Sequence, residues 1–208
     1  MPGQRVLTVD LPGHGKSEGP GLQSVADYAR SLVEFIKAVG IYKAVVAGHA
    51  LGGAVALGLA IDHPRYVAGV ALLSTGARLP IPSAQLESAA NPSMYPAIIR
   101  SVQQASFGPQ AGNGPKEMLA GCMAGTRPTV FHGDLQACDR FDVADRLGRV
   151  RVPTLVLCGT EDRSTPLQYA ETLVTGIPGA ALQTIDGAGH MVMLEQPRRV
   201  AGALTLFI

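Results

Sequence analysis

The chain has 208 residues, 47% of them apolar and 16% charged, with a formal net charge of +1. This length and balance describe one folded unit with a sizeable core and exclude a disordered chain. The basic residues are scattered and no apolar run reaches the length of a bilayer crossing, so neither nucleic acid nor membrane is an expected partner. The three cysteines, Cys122, Cys138 and Cys158, form no Cys-x-x-Cys pair. With no other ligand spacing in view, the sequence predicts no disulfide framework, no metal and no cofactor, in a cytoplasmic protein.

Residues 5–10 read as a first strand, broken by the turn-forming run Pro12, Gly13, His14, Gly15, Lys16 and Ser17. Ser24, with Asp27 three residues on, predicts a capped helix start. Val25, Leu32, Val33, Phe35, Ile36 and Val39 stripe the helix, and Gly40 ends it. Residues 43–47 read as a strand, apolar from Ala44 as in a parallel strand buried on both faces. An Ala/Gly/Leu-rich helix follows to about His63-Pro64, then a strand over 67–73. Regularity lapses from about 75 to 150, where Pro80, Pro82, Pro92, Pro96, Pro109, Pro115 and Pro128 separate short amphipathic pieces. That is too long for a structureless loop, and it reads as an inserted helical lid. The alternation resumes with a strand over 153–158, a helix over about 166–177, a strand over 181–185 and a helix opening near Pro197. Five strands alternating with helices predict a mostly parallel α/β sheet with helices on both faces. The expected organisation is a core segment over 1–75, a lid over 76–150 and a second core segment over 151–208.

Between the strand at 43–47 and its helix lie Gly48, His49, Ala50, Leu51 and Gly52. Strand, sharp turn and helix with glycine two residues to either side is the layout of a nucleophile elbow, in which the central residue is normally serine. The two glycines let strand and helix approach closely. Here the centre is Ala50, which has no nucleophile. Gly15-Lys16-Ser17 resembles the end of a phosphate loop, but the glycine required earlier in that motif is Asp10.

Two further turns leave strand ends at the same carboxyl edge of a parallel sheet, where such sheets bind ligands. One carries Asp162, with Glu161 beside it as a competing carboxylate; the other carries Gly189-His190. The chain order is nucleophile position, acid, base. Acyl transfer needs each type: a neutral imidazole takes the proton from an attacking hydroxyl, and a carboxylate behind it fixes the tautomer and stabilises the imidazolium. Each residue alone has a plainer reading as a loop polar group or helix cap; the order and strand context together favour chemistry. His14 and His49 read as supports of a turn or of the site wall, and His63 as a helix end. Met94, Met118, Met123, Phe107 and Phe131 suit either an apolar acyl pocket or packing of lid on sheet. Cys158, inside an apolar strand, reads as buried and inert.

Asp10 to Ser17 (Asp-Leu-Pro-Gly-His-Gly-Lys-Ser), Gly48 to Gly53 (Gly-His-Ala-Leu-Gly-Gly), Val152 to Asp162 and Gly189-His190 through Glu195-Gln196-Pro197 resemble the corresponding segments of the α/β-hydrolase superfamily. The likeness is to its lidded esterases, enol-lactone hydrolases and carbon–carbon bond hydrolases, and it spans the chain except the lid. It implies Ala50 at the nucleophile position, Asp162 as acid, His190 as base and the Leu51 N–H as an oxyanion-hole donor, acting on a small apolar ester or related acyl substrate. The expected function is a carboxylic ester hydrolase scaffold disarmed at Ala50. The alternatives are a non-catalytic small-ligand-binding homologue and a cofactor-free lyase or oxygenase of the same fold. Family members carry about three further strands before the Asp10 segment and a His-Gly loop with the second oxyanion donor, neither of which this sequence holds. The resemblance therefore predicts a gap between the strand at 5–10 and the strand at 43–47, filled by an N-terminal fragment or a second chain.

Overall fold

The structure, a computed structural model, describes residues 5–208. Ser24 opens helix α1 (Val25–Ala38): its Oγ accepts from the Asp27 N–H at 3.1 Å and donates to the Asp27 carboxylate at 2.6 Å. Gly40, at φ +67°, turns the chain out of the helix. Strand β1 (Ala44–His49), helix α2 (Leu51–Asp62) and strand β2 (Val67–Leu73) follow. Helices α3 (Ser83–Ala90), α4 (Tyr95–Ala105), α5 (Asn113–Ala124) and α6 (Pro128–Asp139) are inserted before strand β3 (Thr154–Gly159). Helix α7 (Leu167–Gly176), strand β4 (Ala181–Ile185), a single-turn α8 (Val192–Glu195) and α9 (Pro197–Phe207) complete the described residues. None of these helices is long and apolar enough to cross a membrane.

The strands form one parallel sheet in the order β1-β2-β3-β4. Side chains alternate across it with the period of two that a strand imposes. Val70, Leu72, Val156 and Cys158 face a core built with α1, α2 and α7; Ala71, Leu73, Leu155 and Leu157 face a second core closed by α8 and α9. Helix α2 is apolar all round, and Gly53 to Ile61 are all buried, because it lies between the sheet and α1. Leu57, Leu59, Leu72 and Leu157 are fully enclosed, each contributing roughly 2–3 kcal/mol by leaving water. Of the expected insertion over 76–150, the two ends belong to the main core through Ala77, Leu79, Phe141, Val143, Leu147 and Val150.

Two expectations are corrected. Residues 5–10 are not a strand: they are exposed, make no ladder, and are tied only through Asp10, which accepts from the Lys16 N–H and the Ser17 hydroxyl. The sheet therefore has four strands among the described residues, not five. Nor is β1 buried on both faces, since Ala47 is exposed and the rest half-buried. The two corrections share a cause: a strand forms where a neighbour takes its backbone hydrogen bonds, and β1 pairs only with β2. No pairing joins residues 5–10 to β1 among the described residues.

The close approach of β1 and α2 falls partly where the sequence places it. A Cβ on Gly48 runs into the Gly52 carbonyl and comes within 2.6 Å of the Gly53 nitrogen. Gly52 itself faces open space, whereas a Cβ on Gly53 meets the Thr75 side chain at 2.6 Å. The second tight glycine is thus Gly53. In urea unfolding, Gly48→Ala is expected to lose roughly 2–3 kcal/mol through overpacking, while Gly52→Ala gains up to about 1 kcal/mol from helix propensity. Equal losses at the two positions would contradict this account of the turn.

Candidate active site

Ala50 occupies the turn between β1 and α2 at φ +48°, ψ −116°, a region costly for any side chain. Three hydrogen bonds hold it: its N–H donates to Leu73 O at 3.0 Å, and its carbonyl accepts from the Ala54 N–H at 3.0 Å and the Thr75 hydroxyl at 2.8 Å. Residue 50 is thereby fixed to the end of β2. Leu51 is the first residue of α2, and at that position a backbone N–H has no intrahelical acceptor. Ala50 and Leu51 both border a cavity of about 930 Å³ between the sheet edge and the inserted helices.

The turn after β3 supplies the carboxylate. Asp162 is buried and accepts from the N–H groups of Ser164 and Thr165 and from the Thr165 hydroxyl, each at 2.9 Å. Its Oδ2 lies 3.0 Å from His190 Nδ1. Burial pushes the Asp162 carboxyl up, but its hydrogen bond to His190, the His190 charge and the Thr165 donors outweigh it, and the group sits below its ordinary value. It is a carboxylate at neutral pH and accepts from the proton on Nδ1, which leaves Nε2 on the far side of the ring. Nε2 has no protein partner among the described residues, and the ring borders the same cavity. Glu161, the competing carboxylate, is exposed.

The structure thus brings Ala50, Leu51, Asp162 and His190 to one rim, from three turns at the carboxyl ends of β1, β3 and β4. His49 lies beside them, its ring centroid 4.6 Å from that of His190 and its Nε2 donating to the His190 carbonyl at 2.9 Å. Desolvation, with the His190 charge second, pushes His49 down to about 3, so it is a neutral prop. His14 is in the cavity wall, its two ring nitrogens facing the Pro12 carbonyl at 3.2 Å and Asp134 at 2.8 Å. The Asp134 hydrogen bond raises its pKa against the opposing effect of burial. Tyr28, fully buried, donates to Asp134 at 2.6 Å and ties α1 to α6.

Thr165, Asp134 and Tyr28 are the residues that sequence reasoning missed. Asp162 with Thr165 three residues on is a turn signature that was available. Asp134 sits four residues after Val130 and three before Ala137, both buried, and a carboxylate on such a stripe signals a buried partner. Of the expected apolar lining, Met94, Met123 and Phe131 border the cavity; Met118 is exposed, and Phe107 is buried outside the lining. Cys138 in the wall is pushed up to about 12 and Cys158 in β3 to about 11, chiefly by burial, so neither is a thiolate able to replace a hydroxyl.

Residues 3–203 match the alpha/beta hydrolase family. The chain is 30% identical to a 2-hydroxy-6-oxo-6-phenylhexa-2,4-dienoate hydrolase of Comamonas testosteroni, over 93% of this chain and 73% of that protein. It is 31% identical to a pimeloyl-[acyl-carrier protein] methyl ester esterase of Aromatoleum aromaticum, over 96% of this chain and 85% of that protein. A solved structure of a thermophilic esterase superposes with a TM-score of 0.85 at 38% identity, covering 95% of this chain and 78% of that one. The chain belongs to the alpha/beta hydrolase family.

The ionisable groups predict the acid side of the stability curve. The unfolded chain protonates His49 near 6.5 and the folded chain only near 3, so stability is full above 6.5 and drains away as pH falls through that window. Asp162, depressed in the fold, adds a loss that begins only below its ordinary 3.8. Urea midpoints should fall from pH 7 to pH 4, and His49→Gln, which keeps a donor for the His190 carbonyl, should flatten that fall. Parallel curves for the two proteins would contradict the assignment of a neutral His49.

Proposed function

We propose that this chain is the scaffold of a serine-type carboxylic ester (acyl) hydrolase in which alanine stands at the nucleophile position. The observation that carries this reading is the Asp162–His190 pair, oriented by Thr165 and opening beside Ala50 onto a largely apolar cavity. With a hydroxyl at position 50, His190 Nε2 would take its proton as it attacks an acyl carbonyl, Asp162 would stabilise the imidazolium, and the Leu51 N–H would receive the developing oxyanion. No cofactor enters that sequence. Without the hydroxyl, turnover should fall by about a millionfold, to near background, while cavity shape and the Leu51 donor are unaltered.

The lining favours a neutral substrate with an apolar acyl group. It includes Leu79, Ile98, Val102, Leu119, Phe131 and Leu135, and no Lys or Arg, while the dienoate named for one relative carries a carboxylate. The inserted helices α3–α6 act as the lid over this cavity. The free edge of β1 and the second oxyanion donor are completed by chain beyond the described residues, an N-terminal segment or a second chain. The three free thiols suit the cytoplasm. A second reading is a cofactor-free lyase or oxygenase using His190 as a base; the unpartnered Nε2 beside a residue with no oxygen favours it over a purely ligand-binding role.

A fluorophosphonate carrying an apolar chain separates these readings by intact mass. With the Leu51 donor alone, Ala50→Ser should still gain one phosphonyl group at residue 50, though only on long incubation; the unmodified chain and Ala50→Ser combined with His190→Ala should gain none at that site. An unlabelled but folded Ala50→Ser protein would overturn the acyl-hydrolase reading.

A further inference from the structure

We propose that Glu195 is a positioning residue for His190 and couples the imidazole to the base of the inserted helices; this rests on His190 being the base of the proposed reaction. Glu195 ends α8, just past the histidine turn, and its carboxylate reaches back over its own helix. Oε1 accepts from the Gly189 N–H at 2.8 Å, the amide directly before His190. Oε2 accepts from the Gly108 N–H at 2.8 Å, in the segment that leaves α4. One side chain therefore joins the loops at Gly108 and Gly189, with charge-assisted bonds to each.

Backbone contacts around the carboxylate show that the two loops are fitted to each other. The Met191 N–H donates to Ser106 O at 3.1 Å, so bonds to the 106–108 segment flank His190 on both sides. A Cβ on Gly189 would come within 2.5 Å of the Gly108 nitrogen and 2.6 Å of the Phe107 carbonyl carbon. A Cβ on Gly108 would run into the Gly187 carbonyl and approach Glu195 Oε2 and the Gly189 nitrogen at 3.1 Å. Neither glycine has room for a side chain, so the 106–108 segment and the histidine turn move as one body. The Asp162 bond fixes which ring nitrogen carries the proton. The Glu195 clasp fixes where the ring stands, and a displacement of α4 at its base would carry His190 with it.

Gln at 195 keeps one acceptor oxygen but turns an N–H₂ toward the other backbone N–H, so at least one of the two bonds is lost. The first measurement needs no catalysis: amide resonances of Gly108 and Gly189 are followed in the unmodified chain and in Glu195→Gln. In the unmodified chain both amides should show a scalar coupling across the hydrogen bond to the Glu195 carboxylate carbon. In Glu195→Gln at least one of these couplings should vanish, and exchange of that amide should quicken about tenfold. The proton on His190 Nδ1 should shift as well, which a merely local packing role would not produce. Absence of either coupling in the unmodified chain, or unaltered amide and His190 signals in Glu195→Gln, would overturn the proposal. The couplings in the unmodified chain decide the matter even if the variant folds poorly.

The second measurement uses the Ala50→Ser background with an apolar p-nitrophenyl ester. Glu195→Gln should lower kcat by about a hundredfold, as expected for misplacement of a reacting group by about 1 Å, and leave KM within about threefold. A raised KM with kcat intact would overturn the positioning role in favour of cavity shape. Should Ala50→Ser resist the phosphonate, the acyl-hydrolase reading fails by itself, and the amide measurements still decide whether the clasp exists.

Discussion

The backbone bond from the Ala50 N–H to Leu73 O closes the end of β1 against the end of β2, and the rest of the site is arranged around that closure. It holds residue 50 at a positive φ that an alanine would not choose, with Thr75 gripping the same peptide from its carbonyl side. The turn can close only because Gly48 and Gly53 have no side chains. Once the β1 end is fixed, the parallel order of the strands brings the turns after β3 and β4 to the same edge, and so delivers Asp162 and His190. The strain costs of order 1–3 kcal/mol and persists because the surrounding bonds over-determine it. Here it exposes a methyl group.

The elements whose signals are local were legible in the sequence. The Ser24 cap, Gly40, the apolar run at 67–73 and the proline at 197 each prescribe a boundary by their own chemistry, and the helices and strands begin and end there within a residue or two. Strand formation at 5–10 was not legible, because an apolar stretch becomes a strand only beside a neighbour, and β1 offers it none. The positions of Asp162 and His190 followed from topology. Their support was less legible: Tyr28 meets Asp134 across 106 residues, which no local pattern encodes, Thr165 lies in the same turn as Asp162 and carried only a local turn signal, and Glu195 stood in the resemblance only as part of the histidine loop.

The histidines around the cavity divide by environment. His49 is kept neutral by desolvation and spends its donor on the His190 carbonyl. His14 faces two acceptors and is raised by Asp134, a pairing that ties the turn at 11–22 to α6. Among the described residues, His190 has a carboxylate on one nitrogen and no partner on the other. That asymmetry is what the proposed reaction requires of its base, and it persists although residue 50 brings no proton to remove. The cavity is walled by leucine, isoleucine, phenylalanine and methionine together with neutral polar side chains such as Gln85, Ser101 and Tyr169, and its one carboxylate, Asp134, is held by His14 and Tyr28.

The most direct test of this account is a crystal structure of the unmodified chain with an intact neutral ester of an apolar acid. The expected result is an uncleaved ester with its carbonyl oxygen in hydrogen-bonding reach of the Leu51 N–H, its carbonyl carbon against the Ala50 methyl and its acyl chain among the side chains of α4 and α6. An ester seated away from Ala50, or turned so that its acyl chain faces solvent and its carbonyl lies far from His190 Nε2, would contradict it.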